Sequence, residues 1–281
     1  MKRLLVIRGG AIGDFVLTLP AIRLLRDAWP GARLEILGNK HIVVLAENRF
    51  YADAARSIEY GPLASFFAKG AELPEELCQY FGSFDLIVSY LFDPDGIFEA
   101  NLRRCGEMRI AVGPSKLDLQ EHAARQLAAP MAALGYKLQS ASAQLFLQEA
   151  DHAAAAALLP ATATRLLAIH PGSGSASKNW PLENWIALGQ QLSRDTHIVV
   201  VAGEADRSQM TRLKNAWADL PVSYVVHQSL PVVAAVLARC GMFIGHDSGI
   251  SHIAAAIGTP CVLLFGPTDP RVWAPSNKNV R

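Results

Sequence analysis

The residue types best suited to binding an anion lie between Met242 and Pro270, where the chain reads MFIGHDSGISHIAAAIGTPCVLLFGPTDP. A short apolar strand, Met242 to Gly245, runs into His246-Asp247-Ser248-Gly249. An alanine-rich helix follows and is stopped by Gly258-Thr259-Pro260. Asp247 or Ser248 is expected to cap that helix with a side-chain oxygen. Gly249 leaves the backbone accessible, so the unpaired N–H groups from Ser248 to Ser251 face outward at the strand's carboxyl end. Open α/β sheets bind ligands there, and a phosphate would meet free donors and the positive end of a helix dipole. An ordinary capped β-α-β crossover is the plainer reading of the same residues. His252, on the first turn, suits either contact with a phosphate or packing on the sheet.

A second loop, His170-Pro171-Gly172-Ser173-Gly174-Ser175-Ala176-Ser177-Lys178-Asn179-Trp180-Pro181, combines hydroxyls, flexible glycines and one lysine. Ser173, Ser177 and Lys178 supply hydroxyl donors around a point charge, which a phosphate loop needs. The loop lacks the Walker pattern G-x-x-x-x-G-K-[ST]. A helix dipole contributes about 0.3–1 kcal/mol, whereas a fixed donor aimed at developing charge contributes about 3–4 kcal/mol to a transition state. If a diphosphate departs here, Lys178 therefore matters more than the helix end at Ser248. A solvated surface loop is the competing reading. Farther on, Val200-Val201-Ala202-Gly203-Glu204-Ala205-Asp206 places Glu204, with Asp206 as the alternative, where an acid can bind ribose hydroxyls. Both acids also suit a helix N-terminus with no ligand at all.

The first strand ends in Arg8-Gly9-Gly10-Ala11-Ile12-Gly13-Asp14. This is not a dinucleotide fingerprint: Arg8 holds the first glycine position, Glu35 sits inside the second strand, and Asp14 would oppose a pyrophosphate. Gly10 and Gly13 instead let the loop approach a sugar closely. Asp14 then reads either as a general base for an attacking hydroxyl or as a helix-capping acid worth about 1 kcal/mol. No His/Asp/Glu set has metal-ligand spacing, no G-x-S-x-G elbow occurs, and no cofactor is called for.

To hold these loops, apolar strands must alternate with helices, the pattern of parallel sheets. Strands are expected near 2–8, 33–37, 55–60, 84–90 and 109–112, with helices over 14–28, 41–47, 63–80, 96–104 and 121–134. A second series has strands near 165–170, 196–202, 222–227, 242–245 and 261–265, with helices over 182–194, 204–217, 232–239 and 249–257. The alanine-rich stretch from Gln148 to Thr164 separates the two, so domains are expected at 1–155 and 156–281. Two such α/β domains in tandem would set two rows of strand ends opposite each other across a cleft, one substrate to each half.

The 281 residues are 51% hydrophobic and 18% charged, with formal net charge +1. That describes a globular chain with substantial cores and gives no electrostatic case for nucleic acid as a partner. No apolar run approaches the ~18 residues of a membrane span. Leu4 to Ile7 is too short for a signal h-region and reads as a buried strand. Lys2 and Arg3 are either solvated or aids to sitting on an anionic membrane face. Cys78, Cys105, Cys240 and Cys261 show neither C-x-x-C nor zinc spacing, which points to a reduced cytoplasmic protein.

Together, RGGAIGDFVLTLPAIRLLR (8–26), HPGSGSASKNWP (170–181) and GHDSGISHIAAAIGTPCVLLFGPTDP (245–270) resemble the heptosyltransferases of glycosyltransferase family 9, which build the inner core of lipopolysaccharide. The resemblance spans nearly the whole chain. It implies a GT-B architecture, two Rossmann-like domains facing across a cleft, and metal-independent, inverting transfer from a nucleotide sugar, ADP-heptose, to a lipopolysaccharide core acceptor. By that resemblance Asp14 matches the general base and Lys178 the diphosphate-binding lysine. Glu204 matches a ribose contact, and Asp247, Ser248, Gly249, Ser251 and His252 match the phosphate-binding turn. One carboxylate suffices, because a departing diphosphate needs charge stabilisation rather than an acid. The acceptor implies a cytoplasmic enzyme with at most peripheral contact with the inner membrane. Family members usually continue through further helical sequence, so a C-terminal domain without the usual extension is expected. A nucleotide-sugar epimerase and a non-catalytic sugar-nucleotide binding protein are the alternatives.

Overall fold

The structure, a computed structural model, describes all residues except 115, 162–164 and 204–205. Its contacts divide the chain into two units, residues 1–11 with 17–141, and residues 12–16 with 142–281.

In the first, the elements run β1 (Arg3–Arg8), α1 (Ile12–Ala28), β2 (Arg33–Gly38), α2 (Lys40–Val43), β3 (Ala54–Ser57), α3 (Glu75–Gly82), β4 (Leu86–Ser89), α4 (Ile97–Arg103), β5 (Arg109–Val112), α5 (Ala123–Leu127) and α6 (Ala129–Ala133). The strands form one parallel sheet in the order β3-β2-β1-β4-β5. Leu4 to Ile7 are buried without alternation, as expected of a central strand covered on both faces. Phe66, Phe81 and Phe98 pack over Leu5, Ile7 and Ile87 in the core. Glu35 is buried within β2, where its Oε1 accepts from the Tyr80 hydroxyl at 2.7 Å and meets Arg56 Nε at 3.2 Å.

Two helices are more broken than periodicity suggests. The stretch expected as one helix over 63–80 is a 3-10 turn over Gly61–Phe67 followed by α3. Pro74 cannot continue a helix from the residues before it, and Gly70 takes φ +71°. Likewise the helix expected over 121–134 is two short pieces, α5 and α6, with Pro130 in the first turn of the second. The helix expected over 41–47 stops at Val43.

The second unit runs α7 (Glu149–Ala157), β6 (Leu166–His170), α8 (Leu182–Leu192), β7 (His197–Ala202), α9 (Arg207–Ala216), β8 (Val222–Val226), α10 (Leu230–Ala238), β9 (Met242–His246), α11 (Gly249–Ala256), β10 (Cys261–Leu264) and α12 (Pro270–Trp273). Its sheet is also parallel, ordered β10-β9-β6-β7-β8. Chain order reverses between β6 and β9, and in open α/β sheets ligands bind outside the strand ends at such a switch point. Trp185 and Trp217 fill the core against Leu167, Ile169 and Val200. Part of the stretch expected to separate the domains is α7, where Asp151 Oδ2 accepts from the Gln148 amide at 2.8 Å. Leu145 N donates to Ala256 O at 3.0 Å, so residues ahead of α7 already belong to this unit's packing. The contact boundary accordingly falls at 141/142, and residue 155 lies within α7.

Candidate active site

Both strands flanking the switch point of the second sheet, β6 and β9, end in histidine, and each ring has defined partners. At the end of β9, His246 is fully buried. Its Nε2 accepts from the Trp180 amide at 2.7 Å, and its Nδ1 lies 3.2 Å from the Gly172 carbonyl. One acceptor and one donor nitrogen make a neutral ring, and burial holds its pKa below the ordinary value. The 171–180 loop is thereby clipped to β9 at both ends.

That clip positions Lys178. Its Nζ donates to Asp247 Oδ2 at 2.6 Å, and Thr268 Oγ1 donates to the same oxygen at 2.7 Å. The lysine thus stands beside Ser248, which precedes α11. Ser248 is the N-cap by backbone geometry (φ −149°, ψ 162°), yet its side chain makes no capping bond. This corrects the expected side-chain cap. Asp247 is held by Lys178 and Thr268, and Ser248 Oγ lies 3.2 Å from both His170 Nδ1 and Ser251 Oγ. The Ser251 hydroxyl donates to the His246 carbonyl. In the first turn of α11 the Ser251 amide, expected to be unpaired, donates to the Ser248 carbonyl at 3.1 Å, which leaves the Gly249 and Ile250 amides as the donors that a helix start does not satisfy.

Glycines set how closely the backbone approaches. A Cβ on Gly249 would lie 2.5 Å from Ile12 Cβ, so only glycine lets α11 begin against residues 12–16, which group with this unit. The space beside Gly13 is filled by the His252 ring, 3.2 Å from where a Cβ would stand. His252 is 4% exposed. Asp14 occupies the first turn of α1 and is half-buried; α1 begins at Ile12, so Asp14 lies within the helix rather than at its cap position. Gly10 takes φ +91°, and its carbonyl accepts from Asn39 Nδ2 at 2.8 Å.

The structure does not bring every expected residue to the same place. Ser173 and Ser177 bond within their own loop: Ser173 Oγ donates to the Ser175 carbonyl at 2.7 Å, and Ser177 Oγ lies 2.9 Å from Ser175 Oγ. Glu204 lies outside the described residues. Asp206, the alternative ribose contact, is turned inward and 6% exposed. Its Oδ2 accepts from the Gly203 amide at 2.8 Å and stands 3.4 Å from His170 Nε2. Burial pushes that carboxyl up, but hydrogen bonds from His170 and Gly203 outweigh it and leave it below the usual range. A side chain on Gly172 would overlap the Asp206 carboxylate. His170, His246 and Thr268 had no assigned role in the sequence reading. The available signal was a polar residue closing an apolar strand, Leu166–Ile169 before His170 and Met242–Gly245 before His246.

A family model described as glycosyltransferase family 9 (heptosyltransferase) matches residues 114–281. Lipopolysaccharide heptosyltransferase 3 of Escherichia coli is 24% identical over 306 residues, covering 95% of this chain and 84% of that protein. Among solved structures, the glycosyl transferase family 9 protein of Veillonella parvula superposes with a TM-score of 0.80 at 20% identity, over 100% of this chain and 86% of that one. The E. coli heptosyltransferase WaaC with ADP gives 0.75 at 21% identity, over 99% and 92%. Both likenesses extend over the two sheets and show a shared fold.

Proposed function

The chain belongs to glycosyltransferase family 9, the heptosyltransferase family, and from that membership we propose that it is an inverting glycosyltransferase moving a heptose from ADP-heptose to a lipopolysaccharide core acceptor. The observation that carries the reading is the placing of the Lys178 ammonium, through Asp247, beside the open amides of α11 at the switch point. An ammonium and a row of N–H donors match a diphosphate, and they meet its charge without a metal ion. WaaC, a relative in fold, has been solved with ADP and with ADP-2-deoxy-2-fluoro heptose, which supports an ADP-sugar as donor.

In this reading Asp14 takes the proton from the acceptor hydroxyl as its oxygen attacks the anomeric carbon. The bond to the diphosphate breaks on the opposite face, so configuration inverts. Charge growing on the leaving oxygen is met by Lys178 and the amides of Ser248, Gly249 and Ile250, fixed donors that are already oriented. Gly249 keeps the backbone open, Ser248, Ser251 and His252 line the turn, Ser173 and Ser177 flank the lysine, and Glu204 is proposed to bind the ribose. Gly10 and Gly13 belong to the acceptor-side loop. Because the acceptor is lipid-anchored, the enzyme would act from the cytoplasm with peripheral contact at the inner membrane.

The test is to incubate the protein with ADP-heptose and a heptose-deficient core acceptor, following ADP release and acceptor mass. A heptose added to the acceptor with ADP formed in equal amount is expected. Sugar rearrangement without acceptor, or ADP binding with no turnover on any core acceptor, overturns the proposal.

A further inference from the structure

The reaction as proposed leaves one buried group of the second sheet without a task, the pair His170 and Asp206. His170 closes β6 and Asp206 follows β7, and both are almost fully buried. Gly172 is bare of a side chain where the Asp206 carboxylate packs, so the loop is shaped around this pair. The His170 ring bridges that carboxylate to the mouth of α11. Nε2 faces Asp206 Oδ2 at 3.4 Å, and Nδ1 faces Ser248 Oγ at 3.2 Å.

The two neighbours make different demands on the ring. Asp206 is an ionised acceptor, so Nε2 must carry a hydrogen. Ser248 has one hydroxyl hydrogen. With the ring neutral, Nδ1 is bare and draws that hydrogen to itself, which turns the serine's lone pairs toward any anion at the helix start. With Nδ1 also protonated, the ring donates to Ser248 Oγ, and the serine hydrogen is released. It then goes to Ser251 Oγ or to an anion at the α11 N-terminus. Only the imidazolium lets Asp206 keep its donor and Ser248 give its hydrogen to a phosphate oxygen while Nδ1 keeps a partner.

We propose that His170, oriented by Asp206, is a ligand-linked positioning residue: when a nucleoside diphosphate occupies the α11 N-terminus the ring becomes doubly protonated and sets the Ser248 hydroxyl to donate to it. The inference rests on the diphosphate reading of that turn. The groups facing the ring are Asp206 from the β7 end, His246 from β9 and the two hydroxyls of Ser248 and Ser251; the Lys178–Asp247 pair lies at the same strand ends. Asp206 and an arriving diphosphate favour the second proton. The Lys178 ammonium opposes it, while the neutral His246 ring adds no charge, so the ligand's charge decides the balance.

The probe is ADP, added to the full chain carrying nitrogen-15 histidine, with spectra of a His170→Asn variant used to assign the ring signals. Near pH 7.5 we expect one protonated ring nitrogen without ADP and two with it, and in Asp206→Asn the second proton should not appear. ADP that binds while the wild-type ring stays singly protonated overturns this inference and leaves the transfer reading standing. No ADP binding at all overturns both. In the transfer assay, His170→Ala should lower kcat roughly 10²-fold, the order lost with one fixed donor, while donor KM moves less than about threefold. His170→Asn should recover most of that loss, because its amide N–H stands near where Nδ1–H stood. Equal loss in both variants, or a rise in KM without a fall in kcat, rejects the positioning role.

Discussion

Lys178 and Asp14 are the residues on which the proposed chemistry separates into binding and proton transfer. Lys178→Ala removes the one ammonium bonded to Asp247 and leaves that carboxylate, 9% exposed, with only Thr268 among its described partners. A carboxylate at the helix start that has lost its ammonium repels a diphosphate, so ADP affinity should fall at least tenfold by calorimetry and kcat by roughly 10²–10³. Unchanged ADP affinity would remove the lysine from the phosphate site. Asp14→Asn is expected to abolish transfer with ADP affinity kept within about threefold, since a base acts on the acceptor and not on the leaving group. In the other unit, Tyr80→Phe tests a buried network rather than catalysis. Glu35 would lose its 2.7 Å donor, and leaving a buried acceptor short of a partner costs about 1–3 kcal/mol, read as a lowered denaturation midpoint.

At the level of elements, the 171–180 loop and the start of α11 depend on side chains from neighbouring strands for their shape. His246→Ala should release the Trp180 amide, so its hydrogen exchange should speed while the β7 core amides stay protected. Equal exchange in both proteins would mean the loop holds itself. Gly249→Ala drives a methyl into Ile12, and an overpacked contact of this kind costs about 1–3 kcal/mol. The strand positions and the long first helix follow from apolar runs and Pro30-Gly31. The helix over 63–80 does not, because its apolar spacing continues across Gly70 and Pro74, and a pattern of hydrophobicity carries no record of a missing amide. Asp206 is instructive in the same way. As a strand-end acid it invites a ribose, yet the absence of a Cβ at Gly172 lets it sink beneath the loop and bind His170 instead.

Across the molecule, each unit carries its own parallel sheet and aromatic core, and the pH response is concentrated in the second. Burial depresses the pKa of His197 and His246 below their ordinary 6.5. Below that pH the unfolded chain binds more protons than the folded one, so the stability these rings contribute is complete above about 6.5 and is lost as pH falls toward their folded values. Asp206, depressed below 3.8, adds a further loss at lower pH. Melting should therefore drop between pH 7.5 and 5.5 in probes of Trp185 and Trp217, and His197→Asn should flatten that drop; a flat profile in the wild type would contradict it. Alternating apolar strands and helices, with glycine, serine, aspartate and lysine clustered after particular strands, are properties of consecutive residues. They were enough to determine two α/β sheets and the family, and to single out the loops proposed to carry the chemistry. Which partners those loops take was decided by tertiary structure alone. Lys178 to Asp247 spans 69 positions and His170 to Ser248 spans 78, and such pairings exist only once strand order has placed β6 beside β9.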